Sequence, residues 1–433
     1  MTLTLRLRSK SPALLIPMLA LTGICVSKIA EAEVSIAKTD AWELYTTGRV
    51  NAFFSYGFGD GYPQPLNPNE TIIPGGGLNI GTDNIPTIGP DGMPVPGSAG
   101  TFRSMRIRSG FVPNVMGLGL RSHVTDFTTL TVYLSLWTTL EQEGQRKTGP
   151  VRPDAREGYA LLEGGWGSLL VGRALDLFSR GATENDFLYG HGYALGFPGN
   201  IDNQGPTNGL IGFGVSAAFF SAGIVYATPT KGGLKLTAGI YDPAVVAGAW
   251  EATRYGRPEG ELTYDASSDL IRLHLFGNGA VQNLYRAAET TSATMYGVGY
   301  GGRLEVGAFH LGLAGHYGKG VGLSYALENS ATTFSQTYAL RTFDGYSGFA
   351  QVVAGRFDFN AGAGISRVFL LDEDKVNPNA SVVKNQIGYA GVIVYHATPH
   401  LHFALDYMHG DYSWYLGEKQ SVNFLSTGMT ATW

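Results

Sequence analysis

The sequence is poor in cysteine: its 433 residues contain one, Cys25. Cys25 lies in an N-terminal segment that we expect to be removed, so the mature chain would have neither a disulfide nor a thiolate site. Ile24 precedes it where a lipoprotein signal requires a small residue, which argues against lipid attachment. Packing and hydrogen bonding must therefore stabilise the fold.

Long hydrophobic runs and charge are also scarce. No apolar run after residue 32 reaches the length of a transmembrane helix. Charged residues make up only 15% of the chain, and acids outnumber bases, which makes nucleic acid an improbable partner because phosphate binding needs clustered cations. No Gly-x-Ser-x-Gly elbow occurs. The spaced glycines of Gly297–Gly302 have no helix after them to hold a phosphate. We therefore predict no enzyme activity and no cofactor.

The N-terminus has the three parts of a secretory signal. Arg6, Arg8 and Lys10 are basic, the stretch Pro12–Ser27 is apolar but too short to span a bilayer, and Ala30-Glu31-Ala32 is a small-x-small cleavage site. We predict that residues 1–32 are removed; an N-terminal membrane anchor is the alternative. Four of the 30 Lys and Arg and one of the 35 Asp and Glu would leave with the signal, giving a mature net charge of −8.

What the sequence has in abundance is glycine (61 residues), tyrosine (23) and phenylalanine (22), arranged with a period of two. In 130–140, apolar residues alternate with polar and aromatic ones, as in a transmembrane strand. Counting such runs predicts sixteen strands, joined alternately by short turns and longer loops such as 57–101. One pair, Phe213–Tyr226 and Leu234–Tyr241, is joined by a turn at Thr228–Gly233.

These features predict an all-β fold, an antiparallel transmembrane β-barrel that forms one domain over residues 33–433. A sheet in lipid must close on itself so that its backbone groups are all paired. A soluble β-sandwich or propeller is the alternative, since alternation alone does not exclude it. The signal segment and the rhythm of short turns and long loops favour the barrel.

The stretch 156–181 carries a more specific pattern. The strands Tyr159–Leu162 and Leu169–Val171 flank Gly164-Gly165-Trp166-Gly167, a glycine-rich joint typical of a tight turn. Gly172-Arg173 follows, and then a long segment without period, Ala174–Leu210. This stretch resembles the fourth and fifth strands of the general bacterial porins of Gram-negative outer membranes. The segment 226–242 and the last strand, 422–433, are similar to that family too, although the family usually ends in Phe rather than Trp433.

The resemblance implies a sixteen-stranded outer-membrane porin that lets small hydrophilic solutes and ions diffuse passively. It further implies a homotrimer among membrane lipids, and a last strand with Trp433 that is read by the barrel-assembly machinery. In this family the loop after strand 5 folds into the barrel and narrows the pore. A substrate-selective channel for sugars or small anions, an outer-membrane barrel enzyme and an adhesin remain alternatives.

Charged residues on the predicted inner face and on the long loop are the candidates for the pore constriction. The resemblance implies a basic wall facing an acidic loop, and Arg173 matches the arginine of the family's Gly-Arg. Arg173 nevertheless shares a strand face with apolar Leu169 and Val171, and a bulge at Gly172 would be needed to re-aim it. Surface or interface ion pairs are the alternative role. The constriction candidates are Arg49, Arg106, Arg108, Arg121, Arg173, Asp176, Glu184 and Asp186.

One pair of histidines suggests metal binding. His400 and His402 share a strand face, but the sequence around them offers no third ligand. We therefore predict no metal site.

Overall fold

A computed structural model describes residues 33–61, 84–85, 88–93, 95, 100–110, 112–138, 153–188, 209–243, 255–286, 291–323, 326–327, 331–332, 339–376 and 382–433. The predicted signal, 1–32, and much of the predicted first loop, 57–101, lie outside these residues.

Strands dominate the described part of the chain. They are β1 Val34–Lys38, β2 Trp42–Asp60, β3 Asn84–Ile85, β4 Thr101–Arg108, β5 Asn114–Thr125, β6 Thr128–Thr138, β7 Asp154–Gly164, β8 Gly167–Leu175, β9 Phe220–Ala227, β10 Leu234–Tyr241, β11 Arg257–Ser267, β12 Ile271–Arg286, β13 Thr291–Val306, β14 Phe309–Lys319, β15 Thr342–Ala354, β16 Phe357–Phe369, β17 Val383–Thr398, β18 Leu401–Trp414 and β19 Lys419–Thr432. Two short helices, α1 Arg180–Asn185 and α2 Asp372–Lys375, accompany them. Within the described ranges, no helix is long and apolar enough to cross a membrane.

The strands form one antiparallel sheet that closes into a barrel. Each strand from β5 to β19 pairs with the next along the chain, and β19 pairs with β2 to complete the circle. β4 and β5 pair in succession with the two halves of β2, so together they act as one interrupted strand. With the short β1 and β3 set aside as additions, sixteen strands make up the described barrel, which confirms the predicted number.

The two faces of the sheet have opposite character. On β6, Val132 and Leu134 are exposed whereas Tyr133 and Ser135 are buried. The same alternation recurs on the other strands, because successive side chains of a strand point to opposite faces. Large exposed apolar residues on the outside of a closed barrel are what a lipid environment requires. The polar and charged residues therefore face inward.

The interruption between β4 and β5 changes which residues face inward. Phe102 and Arg108, at even positions of β4, are buried, but on β5 it is odd-numbered Val115 that is buried. The amide of Asn51 binds across this break: Nδ2 donates to Val112 O (2.8 Å) and Oδ1 accepts from the Gly110 N–H (2.6 Å). One inner side chain thus stabilises the irregular backbone at Gly110 and Val112.

The predicted short turns are confirmed, with one boundary corrected. Gly164 pairs with Gly167, closing the β7–β8 turn, and β9 joins β10 across the turn predicted at 228–233. The predicted strand at Phe213–Tyr226, however, begins only at Phe220. The residues before Phe220 contact the inside of the barrel instead, as described below.

Candidate functional site

The segment that follows β8, residues 176–188, is called the inner segment here. The backbone N–H groups of Leu177 and Phe178 both donate to Glu259 Oε2 at 2.8 Å, and the Ser179 N–H donates to Asn278 Oδ1 at 3.3 Å. Glu259 and Asn278 are buried on the faces of β11 and β12 opposite to exposed Leu262 and Val281. The inner segment therefore packs against the inner face of the wall.

Buried ion pairs attach the inner segment to β11. Asp176 contacts Arg257, and Arg257 Nε lies 2.7 Å from Glu259 Oε1. Ser221 Oγ also donates to Asp176 Oδ2 (2.9 Å). Removing charges from water is costly, and only close pairing with additional hydrogen bonds compensates for that cost. Asp176 is therefore engaged in attachment to the wall.

A second buried pair joins Arg180 of α1 to Glu261, with 1% and 3% of the two side chains exposed. The helix approaches the wall closely because its second residue is Gly181. A Cβ at that position would lie 2.4 Å from the ring of Phe276, so a larger residue would push α1 away from β12. The close contact between α1 and β12 therefore requires glycine at position 181.

Apolar packing continues the contact beyond the helix. Phe187 lies edge-to-face against Phe349 of β15, with ring centroids 6.3 Å apart. Phe178, Phe187 and Leu188 belong to one buried apolar cluster with residues of β12 and β15. Packed side chains thus occupy part of the barrel interior at this level.

Asp186 has a structural role as an acceptor of backbone hydrogen bonds. Its side chain is fully buried. Oδ1 accepts from the Leu188 N–H (2.9 Å) and Oδ2 from the Leu210 N–H (2.7 Å). One carboxylate therefore joins the backbone at Leu188 to that at Leu210, and residues 189–208 lie outside the described part of the chain.

The chain contacts the inner wall a second time at residues 209–216. The Gly214 N–H donates to Ser366 Oγ (2.8 Å), and Gln386 Nε2 donates to Gly212 O (2.6 Å). The ring of Phe213 packs against Tyr412, with centroids 5.7 Å apart. These contacts explain why Phe213 is not part of β9.

Glu184 is the least buried acid of the inner segment. Burial raises the pKa of Glu184 to about 7, while Arg180 acts in the opposite direction. Burial, followed by the neighbouring Glu259, also raises the pKa of Asp176, and Arg257 opposes that shift. Glu184 is thus a group whose charge changes close to neutral pH.

Two of the predicted arginines of the early strands lie on the inner side. Arg49 on β2 and Arg108 on β4 are both buried on the inner face. Arg106 pairs in register with Ser55 of β2, between the exposed residues Met105 and Ile107.

Two other predicted constriction residues are placed elsewhere. Arg121 lies beside the short β5–β6 turn, 3.1 Å from Glu33 and stacked over Tyr45. Arg173 is exposed on the same outward face as Val171, and its Nε donates to Phe220 O (3.2 Å). The register between β7 and β8 runs without a shift past Gly172, so the bulge that would turn Arg173 inward is absent.

The residues that do meet the inner segment were missed by the sequence analysis. Arg257, Glu259 and Glu261 alternate with Pro258, Gly260 and Leu262. Three charges at a period of two mark one face of the strand as polar. This pattern could have identified the three residues of β11, whereas the resemblance to porins implied arginines of the earlier strands.

A second group of inner charges lies beside the short turns and is called the turn-end vestibule here. Asp265 Oδ1 is 2.8 Å from His274 Nδ1, and Arg303 Nε is 3.0 Å from Glu305 Oε1. Arg121 with its partner Glu33 belongs to the same end of the barrel. These pairs keep part of their surface in water, unlike the pairs of the inner segment.

Trp433 lies where the barrel closes. Its N–H donates to Gly48 O (3.0 Å), and the Gly48 N–H donates to Trp433 O (2.7 Å). The indole lies over Gly48, where a Cβ would be 2.1 Å from the ring. Trp433 thus extends the β19–β2 contact by one residue pair.

Within the described ranges, no three His, Cys, Asp or Glu side chains form a group that could hold a metal ion.

Comparison with known proteins identifies structures of similar architecture. No protein-family model and no curated protein sequence matches the chain. The outer-membrane channel DcaP of Acinetobacter baumannii is similar in structure, with a TM-score of 0.65 at 13% identity over 92% of this chain and 100% of that one. An anion-selective porin from Comamonas acidovorans has a TM-score of 0.59 at 12% identity, over 90% of this chain and 100% of that one.

OmpF of Salmonella typhi, in a complex with daunomycin, has a TM-score of 0.53 at 10% identity, over 93% of this chain and 100% of that one. At such low identity these likenesses show the fold. The chain therefore has the fold of the bacterial outer-membrane porins, closed around an inner face to which charged residues attach the inner segment.

Proposed function

We propose that the protein is an outer-membrane porin, a water-filled channel through which small hydrophilic solutes and ions diffuse passively. The observation that carries this proposal is the closed sixteen-strand barrel, apolar outside and polar inside. A wetted interior whose charges set the local potential is the physical requirement for conduction. No chemical step is assigned to the chain.

The inner segment is the element that we assign to the constriction. It rests on β11, β12 and β15 and so occupies one side of the interior. Glu184 is the inner-segment acid whose side chain is partly exposed, whereas Asp176 and Asp186 are held in buried contacts. Arg257 pairs with Asp176 of the inner segment, and Arg49 and Arg108, buried on the inner face, stay candidates for the basic side of the constriction.

The remaining assignments follow from the same proposal. Residues 1–32 direct export, the barrel-assembly machinery inserts the chain into the outer membrane with Trp433 as part of its signal, and three copies associate among the lipids. Electrophoretic mobility of unheated and heated protein in detergent tests the trimer, because porin-like trimers migrate as one large species until they are heated.

A channel restricted to particular solutes, such as sugars or small anions, is the second candidate. Apolar packing of the inner segment supports it, because a partly occupied interior leaves a narrower passage than an empty sixteen-strand barrel.

Planar-bilayer recording of the purified protein tests both candidates. We expect stable, voltage-independent conductance steps, and liposome swelling that falls gradually with solute size. Swelling with one solute class alone would favour the selective channel. A folded, heat-modifiable barrel that shows no conductance would contradict the pore, and hydrolytic turnover by such a sealed barrel would favour an enzyme. Heat-unfolded protein is the control.

A further inference from the structure

Two histidines face each other across adjacent strands at the turn end of the barrel. His396 of β17 and His402 of β18 are register partners near the turn that joins these strands. Their Nδ1 atoms are 2.7 Å apart, and the rings are nearly perpendicular, with centroids 4.7 Å apart. Both side chains are partly exposed on the inner side. The sequence analysis had singled out His402 with His400, whereas the structure pairs it with His396.

A carboxylate on the next strand orients one of the two rings. Asp358 Oδ2 of β16 lies 2.8 Å from His396 Nε2. Since a carboxylate accepts, Nε2 of His396 carries the proton, and its Nδ1 is directed at Nδ1 of His402. A carboxylate that holds the far nitrogen of an imidazole is the usual support of a metal-binding histidine.

We propose that His396 and His402 bind one divalent transition-metal ion, Cu²⁺, Ni²⁺ or Zn²⁺, through their two Nδ1 atoms. Water completes the coordination, and Asp358 is a positioning residue. The proton that lies between the two nitrogens is displaced to water or to Nε2 of His402. With metal–nitrogen bonds of about 2.0–2.1 Å, the nitrogens need to separate to roughly 3 Å, a movement that small side-chain rotations supply.

The surroundings favour metals that bond to nitrogen over hard cations. Asp358 brings a negative charge, but Arg49 acts electrostatically on His402 as well, so the site has little net charge to attract Mg²⁺ or Ca²⁺. Imidazole prefers Cu²⁺, Ni²⁺ and Zn²⁺, whereas Mg²⁺ and Ca²⁺ prefer oxygen ligands. Affinity must therefore arise from the two imidazoles.

Calorimetric titration of the folded protein, purified without a polyhistidine tag, tests this site. NiCl₂ and ZnCl₂ are titrated separately at pH 7.5, with MgCl₂ as the hard-cation control. We expect one Ni²⁺ or Zn²⁺ per chain and no heat from Mg²⁺. The double variant His396→Asn/His402→Asn should lose at least tenfold in affinity, and Asp358→Asn about tenfold to a hundredfold.

His310→Asn is the matched control. His310 is also on the inner face beside a short turn, but its Nδ1 contacts Gln351 and not a second histidine. This variant should bind as the wild type does. Equal binding by the wild type and the double variant would overturn the proposal. If the variants do not fold, titration of the wild type alone tests the site. Its affinity for Ni²⁺ or Zn²⁺ must fall between pH 7.5 and 5.5, because protons compete for the imidazole nitrogens. No uptake of either metal at pH 7.5 would refute the site.

Discussion

The inner segment and the turn-end vestibule use the same kinds of charged residue in opposite ways. Arg180 and Glu261 expose 1% and 3% of their side chains, whereas Arg121 and Glu33 expose 37% and 46%. The first pair is withdrawn from water and attaches one part of the chain to another. The second stays hydrated and available to passing solutes. Burial therefore separates the charges that build the channel from those that solutes meet.

The largest expected effect distinguishes these two pairs by stability. Arg180→Met leaves Glu261 buried without its partner, which typically costs about 3–5 kcal/mol. Arg121→Met breaks an exposed pair, typically worth less than about 1 kcal/mol. Urea unfolding of both variants in detergent, followed by heat-modifiable mobility, measures the difference.

The double variant Arg180→Met/Glu261→Met is the control for the first variant. It removes both charges and should recover much of the lost stability, since apolar residues of similar size often replace a buried pair without loss. If Arg180→Met and Arg121→Met lower the free energy of unfolding equally, the inner-segment pair is hydrated, and the two regions do not differ in the way described.

A somewhat smaller effect is expected at Asp186. Asp186→Ala leaves the buried N–H groups of Leu188 and Leu210 without their acceptor, at about 1–3 kcal/mol each. We expect faster cleavage within 189–208 by a protease added to the folded protein, read by mass spectrometry. Asp265→Ala, in the vestibule, is the comparison and should leave the cleavage rate unchanged. Unchanged cleavage in Asp186→Ala would mean that other contacts hold both ends.

The pH dependence of Glu184 tests whether burial or charge pairing dominates in the inner segment. The pKa of Glu184 is raised from 4.5 to about 7. Its contribution to stability is therefore fully present below pH 4.5 and is lost as the pH rises through 7. Glu184→Gln should match the wild type at pH 4 and have a higher unfolding midpoint at pH 8.

Asp372→Asn is the control for Glu184, because Asp372 is exposed on α2 and its pKa is lowered by its hydrogen bond with Lys375. The unfolding midpoint of Asp372→Asn should differ from that of the wild type by the same amount at pH 6 and at pH 8. A Glu184→Gln variant that is less stable at pH 8 would show that attraction to Arg180 outweighs burial.

The smallest effect is expected for ion selectivity at the vestibule. Arg121→Gln removes one hydrated cation, so the reversal potential in a salt gradient should move by a few millivolts toward cation preference. The shift should be visible near 0.01 M salt and vanish near 1 M, where the Debye length falls from about 30 to 3 Å. Arg173→Gln, on the outer face, should produce no shift at either concentration.

Alternation along the strands, together with the signal segment and the rhythm of short turns and long loops, was enough to predict the barrel. Alternation also predicted correctly that Arg173 shares a strand face with Val171, away from the interior. The partners of the inner segment did not follow from periodicity. Arg257 and Asp176 are 81 residues apart in sequence, and two further strands, β9 and β10, lie between β8 and β11 in the sheet.

The same limit applies to His396. Pairing it with His402 requires the register of β17 and β18, which the periodicity along one strand does not give. Phe213 illustrates the converse: its apolar neighbours resemble a strand, but they pack against the interior near Tyr412. Local pattern does not distinguish a lipid-facing residue from one buried inside the barrel.

The break between β4 and β5 has a consequence for how such a chain changes in length during evolution. Within an unbroken strand, inserting one residue would turn every following side chain from lipid to water and from water to lipid. Between β4 and β5 the phase already changes, and Asn51 binds the backbone at Gly110 and Val112 by hydrogen bonds that do not depend on strand geometry. Insertions and deletions should therefore be inherited here far more readily than within the neighbouring strands. A library of single-residue insertions through β2–β6, sorted for surface expression, would map this tolerance directly.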